Sequence, residues 1–481
     1  MLDTVKYVAG SREQSFLDTV ENSKYDRQIV KGLKKFFEKT VAEDMQSFYS
    51  ESELTSLRAL AGGERDIEAR MPVKVTRHYM EQAQKSRAMR TLVKASPRET
   101  MDLSGSPDPA AQLSYSPVEG LLHKYELALI YVASTCSAHC RFCYREELIA
   151  GKELERDDGS VAAKSLARIS NVVSYIKEHN DLVSRNDGVH PDTGRRLLRE
   201  VLLSGGDPMV LSNRNLASWL SALAESGIES IRIGTKELAF YPDRFDENFL
   251  NMMDAFHDYY PHVSVRFMVH FNHPDEFLEK QADGSYVQHA SGGLQWLENT
   301  HQAIHALRSR SWISIDNQAP VIRDINDDAN ALRIMQRELR RNGVENHYFF
   351  CGRDIIGHKA FNVPIEEAWQ IVNESQKALS GVESHARLVM AHYRGKVEVV
   401  AVSDGAIPGF NGAESGVVIF KLHRAIADAS ERSSITIAAR KPEAIWIDGY
   451  EDRVLLDEAG LFHDVDAKNK PASTQLRSVG L

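Results

Sequence analysis

Short apolar runs rich in β-forming residues recur along the middle of the chain and alternate with segments of helical periodicity. They lie at residues 127–133, 201–203, 230–233, 263–270, 312–315 and 347–351. Six such runs with helices between them predict an α/β fold with parallel βαβ units. Several runs end in polar or glycine residues, and α/β barrels place their chemistry at such strand ends.

The regions on either side of this core have different patterns. Between Ser15 and about Leu60, apolar residues recur at helical spacing: Phe16, Val20, Ile29, Leu33, Phe36, Phe37 and Val41. Residues 95–117, rich in Ser, Pro, Asp and Gly, predict a linker or wrapping loop. We therefore expect a helical N-terminal region with a linker over residues 1–120 and a core domain over residues 121–380.

Beyond Gly381 the apolar runs become short and are separated by turn residues. They lie at residues 386–391, 396–402, 416–420, 434–438 and 444–447. This pattern predicts a small β-rich C-terminal region over residues 381–481.

Composition narrows the class of protein. Of 481 residues, 42% are hydrophobic and 26% are charged, and the formal net charge is -10. No apolar run approaches the length of a membrane span, and an acidic chain does not suit a general nucleic-acid or membrane-surface binder. The first residues lack a basic segment followed by an apolar core, so we expect a cytoplasmic location and small-molecule partners.

Three of the four cysteines, Cys136, Cys140 and Cys143, lie within eight residues. This spacing lets one loop bind a cubic iron–sulfur cluster at three irons and leaves the fourth iron open to a substrate or cofactor. A ferredoxin would bring a fourth cysteine soon after, whereas Cys351 lies more than two hundred residues on. A zinc site that adds His139, or three free thiols, are the alternatives.

Several further motifs follow in order. They are Tyr144-Arg145 at the end of the cysteine loop, Leu-Ser-Gly-Gly-Asp at 203–207, Arg-Ile-Gly-Thr at 232–235, His-Phe-Asn-His-Pro at 270–274, Asn317-Gln318 with Asn326-Asp327, and Gly395-Lys396. With these motifs the chain resembles the radical S-adenosylmethionine (SAM) enzymes and, among them, the lysine 2,3-aminomutase family. The resemblance implies a partial (βα)6 radical SAM barrel with a [4Fe-4S] cluster on the three cysteines.

The resemblance also implies cofactor contacts. Ser204, Gly205, Gly206 and Asp207 match the family's SAM-binding motif, although Asp207 could instead cap a strand-to-helix turn before Pro208. The other candidate SAM contacts are Thr235, His270, Asn272 and Gln318, together with Arg232 and Asn317. For these six residues, hydrogen-bonded polar side chains at a barrel rim are the equal alternative.

Two catalytic residues follow from the same resemblance. Arg145 matches the arginine that binds the substrate carboxylate, and the alternative is a salt bridge with Glu146 or Glu147. Lys396 matches the lysine that binds pyridoxal 5'-phosphate (PLP) as an imine, although His392-Tyr393-Arg394 replaces the usual glycine run, and an exposed lysine in a turn is the alternative. The segment with Lys124 and Tyr125 resembles the phosphate-binding segment without its following proline and second arginine.

Side-chain specificity departs from the lysine enzymes. In the lysine enzymes two aspartates receive the substrate ammonium, and the resemblance puts Arg353 at the first of these positions and Ala391 or its neighbours at the second. An anionic substrate side chain therefore suits this chain better, while a one-residue shift would offer Asp354. The cysteine-rich C-terminal zinc segment of some relatives is missing, so we expect no zinc.

The resemblance therefore implies an amino-acid 2,3-aminomutase acting through a 5'-deoxyadenosyl radical and a PLP imine. A reductase, flavodoxin or ferredoxin would supply the electron, and a homo-oligomer stays open. The alternatives are a PLP-independent radical SAM enzyme for hydrogen abstraction, epimerisation or dehydrogenation, and a non-enzymatic iron–sulfur or zinc protein.

Overall fold

The computed structural model describes most of the chain. The described residues are 9–24, 26–32, 48–63, 65–106, 108–110, 112–150, 153–155, 161–163, 166–406, 412–426, 431–462 and 477–478. In this part of the chain, no helix is both long and apolar enough to cross a membrane.

The structure combines α-helices with a large, mostly parallel sheet. The strands are β1 (Ile29–Lys31), β2 (Lys74–Thr76), β3 (Leu121–His123), β4 (Leu127–Ala133), β5 (Glu153–Glu155), β6 (Val161–Ala163), β7 (Glu200–Gly205), β8 (Ser230–Thr235), β9 (Ser264–Val269), β10 (Ile313–Pro320), β11 (Glu345–Phe350), β12 (Arg387–His392), β13 (Gly395–Ser403), β14 (Val417–Ala425), β15 (Ile435–Ala439), β16 (Val454–Asp457) and β17 (Arg477–Ser478). The helices are α1 (Ser11–Asp18), α2 (Glu51–Leu60), α3 (Ile67–Arg70), α4 (Arg77–Ala83), α5 (Arg87–Val93), α6 (Glu146–Ala150), α7 (Ile169–Arg185), α8 (Asn213–Glu225), α9 (Glu237–Phe240), α10 (Glu247–Tyr259), α11 (Glu298–Arg308), α12 (Ala329–Arg341) and α13 (Ile365–Gln376).

The main sheet has twelve strands in the order β16-β15-β14-β13-β12-β11-β10-β9-β8-β7-β4-β3. Its seven central strands, from β4 to β12, are parallel neighbours. The six apolar runs of the core fall on six of these strands, and the predicted α/β class is confirmed. Buried Ile, Val and Phe residues, such as Ile231, Val265 and Phe267, fill the contacts between the sheet and the helices.

The helices form where the sequence places a cap before an apolar stripe. In α12 the Asp328 carboxylate accepts a hydrogen bond from the Ala331 amide at 2.7 Å. Leu332, Met335 and Leu339 then recur at helical spacing on its buried face. An N-terminal cap followed by this periodicity fixes both the start of the helix and the side that packs on the sheet.

The C-terminal strands extend the main sheet. β12 pairs in parallel with β11, and β13 to β16 continue antiparallel from it. Four predicted C-terminal runs are strands, but the predicted strand at 444–447 is wrong. There a 3-10 helix, Ile447–Arg453, follows a turn, and β16 after it provides the edge strand.

The N-terminal region contains a small ladder as well as helices. Phe16 is buried in α1, but Ile29 pairs with Thr76 in the antiparallel β1–β2 ladder, so the helix expected at Ile29 is wrong. The expected helical positions Leu33, Phe36, Phe37 and Val41 lie outside the described residues. The described residues of the expected linker at 95–117 include two short 3-10 helices, Pro97–Thr100 and Gln112–Tyr115.

Three contacts join residues in and just before the β3–β4 hairpin to residues of the C-terminal strands and their turns. The Lys124 ammonium donates to the His392 carbonyl at 2.6 Å, and the Tyr115 hydroxyl donates to the Tyr393 carbonyl at 2.9 Å. An ion pair between Arg424 and the carboxylate of Glu126, at 3.5 Å, adds a third. These contacts bring the first strands of the sheet next to the turn of the β12–β13 hairpin, just before Lys396 on β13.

Candidate active site

The predicted site residues follow the carboxyl ends of successive parallel strands. The cysteine loop follows β4, Ser204 to Asp207 end β7, Thr235 ends β8, His270 and Asn272 follow β9, and Gln318 lies in β10. Since these ends lie at one edge of a parallel sheet, the structure gathers these candidates along that edge.

The cysteine loop is bound by backbone hydrogen bonds to the N-terminal region. The His139 amide donates to the Lys74 carbonyl, and the Arg141 amide donates to the Leu92 carbonyl, both at 2.8 Å. Cys136, Cys140 and Cys143 form no disulfide. Burial raises the pKa of all three thiols, so iron binding there must displace their protons.

The three thiols lie on one short loop. Among the described residues, no group of three or more His, Cys, Asp or Glu side chains is arranged to hold one metal ion. A cubic cluster distributes three thiolates over three different irons, whereas tetrahedral zinc gathers its ligands on one atom. Three local cysteines are the donor set that such a cluster requires.

A buried ion network anchors the loop between its second and third cysteines. Arg141 is 0% exposed and meets Glu99 in a two-point contact, with Nη2 2.7 Å from Oε2 and Nε 3.1 Å from Oε1. Arg70 bonds both Glu99 and Glu146, and His358 lies 3.2 Å from Glu146. No sequence pattern indicates this network, because its members are ordinary charged residues spread over four segments.

The glycines at the end of β7 allow a close backbone contact with the cysteine loop. The Gly206 amide donates to the Ala133 carbonyl at 2.6 Å, and the Asp207 amide donates to the Thr135 carbonyl at 2.9 Å. A Cβ on Gly206 would lie 2.2 Å from the Thr135 carbonyl oxygen. The glycines therefore serve the contact between this turn and the loop, a role that the sequence reasoning missed.

The Asp207 side chain acts as a cap. One of its oxygens accepts from the Met209 amide at 2.9 Å, and the other accepts from the Thr235 hydroxyl at 3.0 Å and the Lys236 amide at 2.7 Å. Burial raises the pKa of Asp207, while these hydrogen bonds act to lower it. The Asp207 carboxylate therefore caps the turn before Pro208. It also accepts the hydrogen bond of the Thr235 hydroxyl.

Next to it, Lys236 organises the end of β9. Its ammonium donates to the His270 carbonyl at 2.6 Å and the Asn272 side-chain oxygen at 2.9 Å, and it pairs with Glu276 at 2.7 Å. His270 Nε2 and Asn272 Nδ2 are buried without a hydrogen-bond partner. Burial lowers the pKa of His270 well below its usual range, so its ring is neutral. These two orphaned groups could bind a polar ligand.

Two of the other rim candidates are occupied by protein contacts. Arg232 holds Glu200 in a bidentate pair at 2.7 and 2.8 Å. Asn317 bonds the backbone of Phe271 with both its oxygen and its amide nitrogen. Arg232 and Asn317 are thus polar side chains whose hydrogen bonds are made within the protein.

Arg145 and Arg353 share one aromatic ring. The guanidinium carbons of Arg145 and Arg353 lie 4.5 and 4.0 Å from the centre of the Tyr144 ring. Arg145 donates to the Gly205 carbonyl at 3.2 Å, and Arg145 Nε and Arg353 Nη1 are buried without a partner. Among the described residues no carboxylate lies within ion-pair distance of either arginine, so both guanidinium groups could bind anions.

Three other residues considered for this end of the site are engaged elsewhere or uncharged. Glu146, one of the two alternative salt-bridge partners of Arg145, bonds Arg70. Asp354, the alternative specificity residue, pairs with Lys359 at 2.5 Å. Ala391 lies opposite Lys396 in the β12–β13 ladder and carries no charge.

Lys396 lies on β13 over the rings of Tyr348 and Phe350, with Nζ 4.3 and 5.5 Å from the ring centres. Burial, aided by the charges of Arg424, Arg232 and Arg353, lowers the pKa of Lys396 to about 7. The side chain is neither freely exposed nor paired with a carboxylate of the described residues. Near neutral pH, much of the Lys396 population is therefore the neutral amine.

Lys124 lies beside His392, at the end of β12 and just before the turn that leads to Lys396. Its ammonium donates to the carbonyls of Ala110 and His392, at 2.9 and 2.6 Å. Burial and the charge of Arg353 lower the pKa of Lys124 to about 7, and burial raises the pKa of Tyr125. The structure thus brings Lys124, Lys396 and Arg353 into one electropositive region.

Three known proteins show what the chain is similar to. A protein of Aquifex aeolicus (strain VF5) called "Putative L-lysine 2,3-aminomutase" is 31% identical over 360 residues, which is 74% of this chain and 81% of that relative. The glutamate 2,3-aminomutase of Clostridioides difficile (strain 630) is 25% identical over 59% of this chain and 56% of its own length. The L-lysine 2,3-aminomutase of Clostridium subterminale is 25% identical over 57% and 54%, respectively. No protein-family model matches the chain.

Proposed function

The chain belongs to the lysine 2,3-aminomutase family, and we propose that it is a radical SAM amino-acid 2,3-aminomutase. The reaction would move the amino group from carbon 2 to carbon 3 of an amino acid while a hydrogen moves from carbon 3 to carbon 2. When bound, the cluster and SAM supply a hydrogen-abstracting radical, and PLP carries the migrating amine.

The observation that carries this proposal is the proximity of the two arginines to each other and to Lys396, at the end of the site next to the cysteine loop. Arg145 follows the loop, and Arg353, stacked on the same Tyr144 ring, contributes to the low pKa of Lys396. A partial (βα)6 barrel would produce this meeting, and the bond from Lys124 to His392 supports such curvature of the sheet.

The fit to the cluster rests on the cysteine loop. Cys136, Cys140 and Cys143 supply three thiolates from one short loop and leave room for an open iron. The orphaned His270 Nε2 and Asn272 Nδ2 would hydrogen-bond SAM at the neighbouring strand end. Ser204, Gly205, Gly206 and Gln318 would line the rest of that site.

Lys396 fits a lysine that binds an aldehyde cofactor covalently. Attack on a carbonyl requires a neutral amine, and a pKa of about 7 supplies one at neutral pH. A Lys that had been exposed in a turn, with the usual pKa near 10.4, would be almost wholly protonated. Lys124 adds a nearby cation for the phosphate, although two carbonyls already accept its hydrogen bonds.

The charges in the site favour a substrate with an acidic side chain. Arg145 would bind the α-carboxylate through its planar fork, and its Nε is free to donate. Arg353 would bind a second carboxylate, because its buried Nη1 lacks a partner. A cationic substrate side chain would instead meet an unneutralised guanidinium, which costs binding free energy.

Anaerobic reconstitution with iron and sulfide tests the cluster. We expect about four irons per chain and reductive cleavage of SAM by dithionite-reduced protein. Cys140→Ala should abolish the cleavage, whereas Cys351→Ala, which changes the buried cysteine outside the loop, should retain it. Bound zinc without SAM cleavage would contradict the proposal and favour the non-enzymatic alternative.

PLP binding separates the aminomutase from the PLP-independent alternative. We expect the absorbance of lysine-bound PLP in the wild type and in Lys421→Ala, a matched change on the neighbouring strand, and its loss in Lys396→Ala. Conversion of glutamate or aspartate to a β-amino acid, followed by mass spectrometry after derivatisation, tests the reaction. Absence of PLP absorbance from a SAM-cleaving protein would refute the aminomutase and leave the PLP-independent reaction.

A further inference from the structure

A basic cavity lies outside the candidate active site, between the N-terminal helices and the loops after β10 and β11. Its volume is about 430 Å³. Six basic side chains line it: Lys85, Arg87, Arg90, Lys94, Arg98 and Arg323. The acidic side chains of its lining number three, although acidic residues outnumber basic ones by 68 to 58 in the whole chain. The cavity therefore has the opposite charge to the protein that surrounds it.

Two of the six basic side chains are neutralised by close ion pairs, Lys94 by Glu53 and Arg323 by Glu367 and Asp327. The other four are weakly neutralised. Asp324 alone pairs with both Arg87 and Arg98, at 3.2 and 2.8 Å, and those two arginine side chains are 85% and 57% exposed. Lys85 and Arg90 have no carboxylate partner among the described residues, and Arg90 Nε is buried without a hydrogen bond. Exposed pairs of this kind contribute little and can exchange partners at low cost.

Residues of the inner wall of the cavity hydrogen-bond to the cysteine loop and support it. α5, which carries Arg87 and Arg90, accepts the Arg141 amide at its Leu92 carbonyl. Glu99 lines the cavity and holds the Arg141 side chain. Arg141 lies between Cys140 and Cys143, so the wall of the cavity contacts the cysteine loop directly.

We propose that this cavity and its rim of Lys85, Arg87 and Arg98 form the docking surface for an acidic one-electron carrier protein. The inference rests on the proposed function, in which the cluster must receive an electron. The carrier would lose one electron and the cluster would gain it, and no covalent bond would change. A negatively charged carrier is repelled by a chain of net charge -10 except at a basic surface, and here that surface lies behind the cysteine loop.

The exposed rim favours a protein partner over a small anion. An enclosed phosphate site would bring its cations inward around the ligand, whereas Arg87 and Arg98 extend into solvent at the cavity edge. Long, exposed side chains of this kind match the acidic surface of a macromolecule.

The test uses flavodoxin, an acidic flavin protein, as the probe. We expect reduced flavodoxin to reduce the wild-type cluster, with a rate constant that falls as salt rises. Lys85→Glu with Arg87→Glu should lower that rate constant at low salt at least tenfold and should weaken binding of labelled flavodoxin to the cluster-loaded and cluster-free chains alike. Cluster reduction and SAM cleavage driven by dithionite should stay unchanged, so failure of the docking surface is distinguishable from failure of the proposed function.

A matched variant controls for net charge. Arg185→Glu with Lys377→Glu removes the same charge from exposed helix positions elsewhere, where Arg185 is 79% exposed and paired with Asp181 much as Arg87 is paired with Asp324. Its rate constant should stay within twofold of the wild type. Lys85→Gln with Arg87→Gln, a milder change, should give an intermediate loss if the charge-reversed protein does not fold.

Equal losses in the two charge-reversed variants would overturn the proposal, as would salt-independent reduction of the wild type. Binding of inorganic phosphate to the cavity with no effect of these substitutions on flavodoxin would identify a small-anion site and would also overturn it.

Discussion

Replacing Glu99 by glutamine should release the cysteine loop from its strongest anchor. Glu99 is 1% exposed and receives Arg141, which is 0% exposed, as well as Arg70. The amide keeps the size of the side chain but removes its charge and turns a hydrogen-bond donor toward two guanidinium groups. Breaking a buried pair by removing one partner costs about 3–5 kcal/mol, a large part of a typical unfolding free energy of about 5–15 kcal/mol.

The unfolding free energy of the metal-free protein, from urea titration at pH 7, should fall by about 3 kcal/mol or more. In the reconstituted protein, iron should transfer to a chelator faster. Glu53→Gln is the matched control, because the Glu53 side chain is 44% exposed and its pair with Lys94 should contribute less than about 1 kcal/mol.

The pH dependence gives this prediction a second check. Burial acts to raise the pKa of Glu99, but Arg141 and Arg70 outweigh it and hold the pKa below its ordinary value of 4.5. The stabilisation is therefore fully present above pH 4.5 and is lost as the pH falls through the lower folded-state pKa. The difference between wild type and Glu99→Gln should shrink in that acidic range. A loss below about 1 kcal/mol at pH 7, or one equal to that of Glu53→Gln, would refute the anchoring role.

Three further predictions follow from described contacts. Gly206→Ala places a Cβ 2.2 Å from the Thr135 carbonyl and should lower the melting temperature and cluster content, whereas Gly381→Ala, with open space around it, should not. Burial lowers the pKa of His123 to about 2. As the pH falls below about 6.5, the histidine therefore binds a proton in the unfolded chain but not in the folded one, which destabilises the fold. His123→Gln should reduce the loss of unfolding free energy between pH 6 and 5 by up to about 1.4 kcal/mol. Arg353→Gln should raise KM for an acidic substrate more than it lowers kcat, and an unchanged KM would contradict its role as a binding group.

The parallel strands could be predicted because buried parallel strands need short runs of apolar residues, and such runs are visible in the sequence. The cysteine loop could be predicted because its three cysteines are local in sequence. The placing of the motifs along one edge of the sheet could be predicted, since the motifs lie at or after the ends of predicted strands.

The supports of the site could not be predicted, because their contacts join distant segments. Glu99 lies in a stretch whose Ser, Pro and Asp content is typical of a linker, yet its carboxylate is buried against Arg141. Ile29 suits a helical stripe as well as a strand, and only its pairing with Thr76 decides between them. Burial by Tyr348 and Phe350, which determines the state of Lys396, likewise depends on tertiary structure.

The two ends of the candidate active site differ in how far their contacts reach along the chain. Arg141 bonds Glu99 across a sequence separation of 42 residues, whereas Lys124 bonds His392 across a separation of 268. Closing the longer loop costs more conformational entropy and delays its contacts during folding. During synthesis, the ribosome must also make almost the whole chain before His392 emerges. We therefore expect the cysteine loop to acquire its supports, and with them its competence to receive a cluster, before the Lys396 end of the site exists.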